Sequence, residues 1–485
     1  MVLSNIFTET PINRKEISQE LLDIENKQRT NPLPWKGQFS PQFIETLINK
    51  YANQNSVIFD PFLGSGTVLY EAGRFGMEAY GTEINPAALI LANIYKFINL
   101  LPRQRENYIN CFLNRLKTEM LETLPLFQTI QKDVTRNDLT DKIVNLAVDG
   151  EQEFINILHE ALVILLDLDK KEVTYSRVFT LAENIAAFVL KLPYSEKPIN
   201  AYNADARNIP LKNSSVNLVI TSPPYINVFN YHQQYRASTE ALNWKLLEVA
   251  KSEFGSNRKH RSNRFLTVIQ YCLDIAYALQ ELLRICSYDS RIIFVVGRES
   301  NIRGTPFFNG ELVAEVASQV LGISLDIRQE RSFVNRYGKT IKEDILHFVK
   351  LENQPYYFAL HQARTLAVQA LESAYFIADE EVNLKLKMLL IRLKKYNLHL
   401  VLIGIILENS LKQSTKKQDF MFNLAQPHGD KLAALLDNKK LPLTDKGRVN
   451  QAIEYYKKWL KTLEDISGDL KVVPQMVSHL TSYKR

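Results

Sequence analysis

Two apolar runs in this chain stop abruptly at tight-turn residues, and that pattern constrains its fold more than any other feature. Val57-Ile58-Phe59 runs into Asp60-Pro61-Phe62-Leu63-Gly64-Ser65-Gly66-Thr67, and Val216 to Ile220 runs into Thr221-Ser222-Pro223-Pro224-Tyr225. Each reads as a buried strand ending in a turn. In an open parallel sheet, ligands bind beyond the ends of the strands. Two such ends predict one crevice with a cofactor half and a substrate half.

The pattern around them is alternating. Residues 1–35 read as an irregular arm. A helix then starts at Ser40, a good N-cap, with Pro41 at the first helical position and Phe39 able to staple to Ile44. From Ser56 to Leu100 the order is strand, glycine turn, helix, strand, helix. The second strand ends at Glu83, and Asn85-Pro86 caps the helix after it. This is a βαβ unit, which calls for a parallel α/β sheet. Residues 101–197 interrupt the alternation with helical spacing, as in Glu153 to Leu168. It resumes at Ile199 with a short strand ending near Asp205. A long amphipathic helix over Val268 to Cys286 and a buried strand over Arg291 to Gly297 follow. Ser324 to Phe333 and Ile341 to Lys350 flank a turn at Tyr337-Gly338-Lys339 and predict an antiparallel edge hairpin. Residues 355–485, rich in Leu and Lys, read as a separate helical domain.

Bulk properties narrow the function classes. A chain of 485 residues, 46% hydrophobic and 23% charged, is ordinary for a globular protein of two or three domains. Its longest apolar run, Leu400 to Leu407, is too short to span a bilayer. The N-terminal residues lack the apolar core of a signal peptide, which predicts a cytoplasmic protein. Cys111, Cys272 and Cys286 are too widely spaced for a disulfide framework or a zinc site, so core packing is expected for each. The histidines form no HExxH pattern, so no metal is expected. The net charge of +6 is only mildly favourable to a polyanionic partner.

The chemistry sits in the two turns. Glycine at 64 and 66 lets the backbone approach a ligand closely, and the next helix offers its N-terminal amides. The segment is neither GxGxxG nor a phosphate loop. Glu83, at a strand end, is placed to accept hydrogen bonds from ribose hydroxyls. Helix capping is the plainer alternative for Asp60 and Glu83, but both sit at strand ends. In Ser222 to Tyr225 two prolines fix φ and remove two amide donors. The carbonyls there are free to accept from an amino group, and Tyr225 supplies a ring for stacking on a base. A simple Pro-Pro turn is the alternative.

These residues resemble a known family. Phe62-Leu63-Gly64-Ser65-Gly66 is similar to the FxGxG motif of the amino-methylating (cytosine-N4 and adenine-N6) DNA methyltransferases, and Thr221 to Tyr225 to their TSPPY motif. The resemblance covers about residues 35–100 and 198–350. It implies a Rossmann-like S-adenosylmethionine-dependent methyltransferase sheet with an antiparallel edge hairpin, a helical insertion and a helical C-terminal domain. In those terms residues 1–100 hold the arm and the cofactor half, and 198–350 the catalytic half. Either 101–197 or 355–485 is a candidate for target recognition.

The resemblance also implies roles. Asp60, Gly64 and Gly66, with Phe62 and Thr67 of the same turn and the neighbouring Thr221, surround the methionine part of S-adenosylmethionine. Glu83 takes the ribose and Asp205 the adenine. Trp35 to Ile44, with Phe39 and Ser40, packs over the methionine part. Ser222, Pro223, Pro224 and Tyr225 hold the flipped base, which must leave the duplex stack to reach them. Ser at the first motif position leans toward cytosine N4. No cysteine follows a proline, so the signature of carbon-5 cytosine methylation is absent.

Lys251 to Arg264 is basic and closely follows the second motif, so Lys251, Arg258, Lys259, Arg261 and Arg264 are expected to contact phosphates; a solvated loop is the alternative. The expected activity is site-specific methylation of the cytosine amine in duplex DNA, as the modification enzyme of a restriction-modification system with a cognate endonuclease. Adenine-N6 methylation, methylation of RNA, and an inactive DNA-binding protein remain as alternatives.

Overall fold

Strands lie where the apolar runs fall, and they assemble into one sheet. A computed structural model describes residues 6–121, 136–148, 150, 152–226, 231–254, 263–335, 338–350 and 359–390. The strands are β1 (Val57–Asp60), β2 (Glu78–Glu83), β3 (Ile199–Asn203), β4 (Val216–Thr221), β5 (Cys286–Gly297), β6 (Glu299–Ile302), β7 (Thr305–Phe308), β8 (Ser324–Val334) and β9 (Thr340–Val349). Seven of them form a sheet of order β3-β2-β1-β4-β5-β9-β8. β1 to β5 are parallel, whereas β9 runs antiparallel to both β5 and β8. The expected mixed sheet with an antiparallel edge hairpin is thus present. β6 and β7 pair separately.

The apolar runs show little alternation because the sheet is covered on both faces, with exposed Asn217 the one break in β4. Ile58, Leu218, Ile220, Ile293 and Val295 point into one buried cluster. Their alternating neighbours Phe59, Val219, Ile292, Phe294 and Val296 point into the other, as the period of two requires. The short helices α1 (Ile6–Glu9) and α2 (Gln19–Asp23) precede α3 (Pro41–Tyr51), α4 (Thr67–Arg74) and α5 (Pro86–Asn93). The interruption at 101–197 contains α6 (Pro102–Leu121), α7 (Arg136–Val148), α8 (Glu153–Leu166) and α9 (Tyr175–Leu190). Phe112, Leu158, Leu162 and Val178 from these helices share the first cluster with α3 to α5. After β4 come α10 (Arg236–Ala241), α11 (Leu246–Ser252), α12 (Leu266–Ile285), α13 (Asn309–Glu315) and α14 (Ala359–Tyr375). α12 to α14 build the second cluster.

Some local expectations hold and others change. Asn85 caps α5, accepting from the amides of Ala87 and Ala88. Ser40 stands at the N-cap of α3, but its side chain makes no capping hydrogen bond; Phe39 packs on Phe43 at 5.8 Å between ring centroids. Cys272 and Cys286 are buried, while Cys111 is exposed on α6 and does not serve the core. In the segment read as a separate C-terminal domain, Ala363, Leu366 and Leu371 of α14 pack in the same cluster as α12. The remainder of that segment, 391–485, lies outside the described residues, as does Tyr337 of the hairpin turn.

The order of strands reverses between β1 and β4, which sit side by side with β2 beyond one and β5 beyond the other. A crevice opens at such a point, outside the C-terminal ends of the strands. Both motifs emerge there.

Candidate functional site

The two strand ends are joined by their side chains. Thr221 Oγ1 donates to Asp60 Oδ1 at 2.6 Å, both residues being buried. The Phe62 amide donates to the same Asp60 oxygen at 3.0 Å, which turns the chain sharply after β1. Burial pushes the Asp60 carboxyl up to about 7 against the pull of these two donors.

The turn is then pinned to β2. Leu63 N donates to the Thr82 carbonyl at 3.1 Å, and Thr82 Oγ1 to the Pro61 carbonyl at 2.9 Å. Gly64 and Gly66 have φ of 54° and 89°, a region that side chains disfavour. The Gly64 amide donates to Glu83 Oε2 at 2.8 Å and the Asn85 amide to Oε1 at 2.7 Å. Burial again dominates and raises the Glu83 carboxyl to about 7. Two acids at strand ends therefore face one cleft, with no cation of the described residues among the charges acting on either.

The arm forms a wall of this cleft. Ser65 Oγ donates to Gln38 Oε1 at 2.8 Å and Thr67 Oγ1 to Asn31 Oδ1 at 3.0 Å. Trp35 lies against Gly64, where an added Cβ would come 3.3 Å from Trp35 Cδ1. The segment after the second motif grips the arm from the other side. Trp35 stacks on Tyr231 at 6.5 Å, Tyr235 donates to the Pro34 carbonyl at 3.1 Å, and the Lys36 amide donates to Gln234 Oε1 at 3.2 Å.

Asp205, two residues beyond β3, is held by Arg207. The guanidinium contacts Asp205 Oδ2 at 2.6 Å and buried Asp274 Oδ1 at 2.6 Å, and donates to the Ser252 carbonyl at 2.8 Å. Phe62 and Phe254 meet edge to face at 4.9 Å beside it. The resulting cleft holds about 940 Å³ of space, counted out into open solvent.

Of the residues singled out for the cofactor, Phe39, Asp60, Phe62, Gly64, Thr67, Glu83 and Asp205 line this cleft. Ser40, Gly66 and Thr221 stand behind it: Gly66 packs under Tyr95 and Thr221 on Asp60. Of the second motif, Ser222 and Pro224 line the cleft, while Pro223 is buried. Tyr225 is half-buried, its hydroxyl 3.3 Å from Ser222 Oγ and donating to Glu343 Oε1 at 3.1 Å.

Sequence reasoning missed Gln38, Arg207, Tyr231, Glu253 and Phe254, which also line the cleft. Arg207 carried a signal, since a cation two residues after a strand-end Asp is well placed to hold it. Phe254 lay inside the segment read as a phosphate-binding loop. Of that segment, Arg264 is exposed just ahead of α12 and Lys251 belongs to α11; Arg258, Lys259 and Arg261 lie outside the described residues. Among the described residues no cluster of His, Cys, Asp and Glu could hold a metal ion, and no helix is long and apolar enough to cross a membrane.

Residues 3–93 match the family model for N6/N4 methyltransferases, described as DNA methylase. The chain is 33% identical over 75 residues to the type II methyltransferase M.MjaII of Methanocaldococcus jannaschii, covering 15% of this chain and 14% of that protein. It is 40% identical over 55 residues to the type II methyltransferase M.MvaI of Kocuria varians, covering 11% and 12%. These matches thus span only a small part of either relative. Among solved structures, a SAM-dependent methyltransferase from Methanosarcina mazei aligns over 63% of this chain and 97% of its own, with 11% identity and a TM-score of 0.29.

Proposed function

Residues 3–93 carry the likeness to the amino-methylating DNA methylases, and from that premise we infer that this chain is an S-adenosylmethionine-dependent DNA methyltransferase acting on the exocyclic amine of a base. The observation that carries the reading is the Thr221–Asp60 hydrogen bond of 2.6 Å. It joins the cofactor turn to the Ser-Pro-Pro-Tyr step, so that Ser222 and Pro224 line the same cleft as Glu83 and Asp205. One reactant on each side of that joint would be held as a pair, and positioning of that kind can account for much of a transfer rate.

The residues fit the cofactor. A sulfonium ligand is cationic, and Asp60, buried, and Glu83, half-buried in the cleft, are acids raised to about 7 with no cation among the described residues acting on them. Glu83 would accept from ribose hydroxyls and Asp205 from the adenine amine, Phe62 and Phe254 would flank the base, and Trp35 and Phe39 would cover the methionine part. When bound, the cofactor supplies an electrophilic methyl group.

The chain's own part is to prepare the amine. Its lone pair is delocalised into the ring, so it is a poor nucleophile. Ser222 Oγ and the Pro223 carbonyl would accept hydrogen bonds from its two N–H groups and favour a more tetrahedral nitrogen. Proline at 223 and 224 keeps that carbonyl from being consumed by a helix. Tyr225 would set the plane of the base.

Ser222 favours cytosine N4 as the target within this reading. Likeness to type II methyltransferases favours duplex DNA as substrate and a restriction-modification role with a partner endonuclease. Methylation of adenine N6 is the second reading and shares every other residue role. Residues 1–100 and 198–350 would act as the two halves of the catalytic domain, with 101–197 or the C-terminal segment reading the target.

The test is mass spectrometry of nucleosides from unmethylated bacterial DNA treated with the protein and S-adenosylmethionine, beside Tyr225→Ala. The expected product is 4-methylcytosine, absent with the variant. A 6-methyladenine product would overturn the role given to Ser222 alone. Unchanged cofactor binding by Glu83→Ala would overturn the cofactor assignment.

A further inference from the structure

Tyr225 is held by groups that no part of the cleft requires. Its ring lies over Gly297 at the end of β5, where an added Cβ would come 2.6 Å from Tyr225 Cε2. In the sheet Gly297 pairs with Glu343 of β9, and Glu343 pairs in turn with Arg331 of β8. The Tyr225 hydroxyl donates to Glu343 Oε1 at 3.1 Å. Glu343 Oε2 accepts from Arg331 Nε at 2.7 Å. Both charged side chains are nearly buried, at 9% and 7% exposure.

The chain of contacts continues. The Arg331 guanidinium sits 4.1 Å above the ring of Phe43 on α3. Phe43 packs on Phe39, which lines the cleft from the arm. The edge hairpin thus touches the substrate step through Tyr225 and the cofactor wall through Phe43.

A buried ion pair is a poor means of holding two strands together, because apolar residues of similar volume commonly do as well or better. What an apolar pair cannot do is accept the Tyr225 hydroxyl. The glycine removes every obstacle beneath the ring, and the carboxylate fixes its far end. Together they leave the ring one orientation.

We propose that Glu343, held in place by Arg331, is a positioning residue that fixes the Tyr225 ring for stacking on the target base. The proposal rests on the methyltransferase reading above. Glu343 touches neither substrate nor cofactor and acts only through the tyrosine.

The experiment measures methyl transfer from labelled S-adenosylmethionine to unmethylated bacterial DNA, with cofactor Kd and melting temperature alongside. The central variant is Arg331→Met with Glu343→Met, which keeps volume and removes the acceptor. It is expected to melt near the wild type and to bind cofactor within about twofold, but to lose about two- to tenfold in kcat, the worth of one hydrogen bond. Tyr225→Phe should lose a similar factor. Adding it to the methionine pair should lose less than the product of the two separate losses, because both changes break the Tyr225–Glu343 bond and only Tyr225→Phe also removes the Ser222 contact. Glu343→Gln leaves its oxygen for Arg331 and turns its amide to the tyrosine hydroxyl, which can accept instead, so the ring keeps a partner and activity should stay within about twofold of wild type. Wild-type kcat in the methionine pair, or losses that multiply on adding Tyr225→Phe, would overturn the proposal. If the pair does not fold, a kcat loss in Glu343→Gln as large as that of Tyr225→Phe, at unchanged cofactor Kd, overturns it as well. A wild-type protein that methylates no DNA overturns the parent reading, and the proposal with it.

Discussion

Thr221 donates to Asp60 across the point where the strand order reverses, and this 2.6 Å hydrogen bond is the joint between the two motifs. A threonine methyl alone would pack equally well there. The hydroxyl is needed because Asp60 is buried and, among the described residues, has one other donor, the Phe62 amide.

Thr221→Val should therefore cost about 1–3 kcal/mol of stability, since it leaves a buried carboxyl oxygen short of a partner. Urea denaturation of wild type and variant measures this. An unchanged midpoint and slope would show that the joint is not energetically coupled to folding.

The two cleft acids predict a pH dependence. Burial raises Asp60 and Glu83 to about 7 in the folded protein, whereas in the unfolded chain they ionise near pH 4. Between those values the native state holds more protons than the unfolded state, so this contribution to stability is fully present below about pH 4 and is lost as pH rises through about 7. The same acids should bind a cation better once ionised. Affinity for S-adenosylmethionine should rise as pH passes through 7, while affinity for the uncharged thioether product should rise less. Parallel calorimetric titrations of the two ligands decide it, and equal slopes would remove these carboxylates from the recognition of charge.

Gly66→Ala should be strongly destabilising. A side chain at φ of 89° is strained, and its Cβ would stand 2.8 Å from Tyr95 Cδ2. Strain of this kind costs on the order of 1–3 kcal/mol before any clash. The expected result is a clear fall in melting temperature; a variant as stable as the wild type would mean that the turn can be rebuilt without a left-handed residue.

Gly297→Ala acts on the other half. Its Cβ would collide with the Tyr225 ring, 2.6 Å away. Overpacking costs about 1–3 kcal/mol, and here the movable neighbour is the tyrosine. Methyl transfer should fall while cofactor affinity stays near that of the wild type. Loss of cofactor binding instead would show that the disturbance spreads through β4 to Asp60.

Much of the frame was legible in the chain. The apolar runs at Val57 and Val216, the second broken only by Asn217, meant strands buried on both faces, because period-two alternation disappears when both faces are covered. Asn85-Pro86 identified a helix start from capping chemistry alone, and the structure places the cap there. Ser40 carried the same signal, yet its hydroxyl caps nothing. Cys111 looked like a core residue by type and is exposed, because its place on α6 follows from the packing of four helices and not from its own polarity.

What the sequence by itself determined is local: which segments extend, which turn, and which turns carry acids and glycines. Those outcomes follow from φ preferences, side-chain period and missing amides, which act within a few residues. Tertiary structure alone decided which distant groups meet. Arg207 reaches Asp274 across 67 residues, Tyr225 reaches Glu343 across 118, and Thr221 reaches Asp60 across 161. No local preference encodes such pairs. They arise when strands and helices distant in sequence pack as neighbours and bring their polar groups within reach of one another.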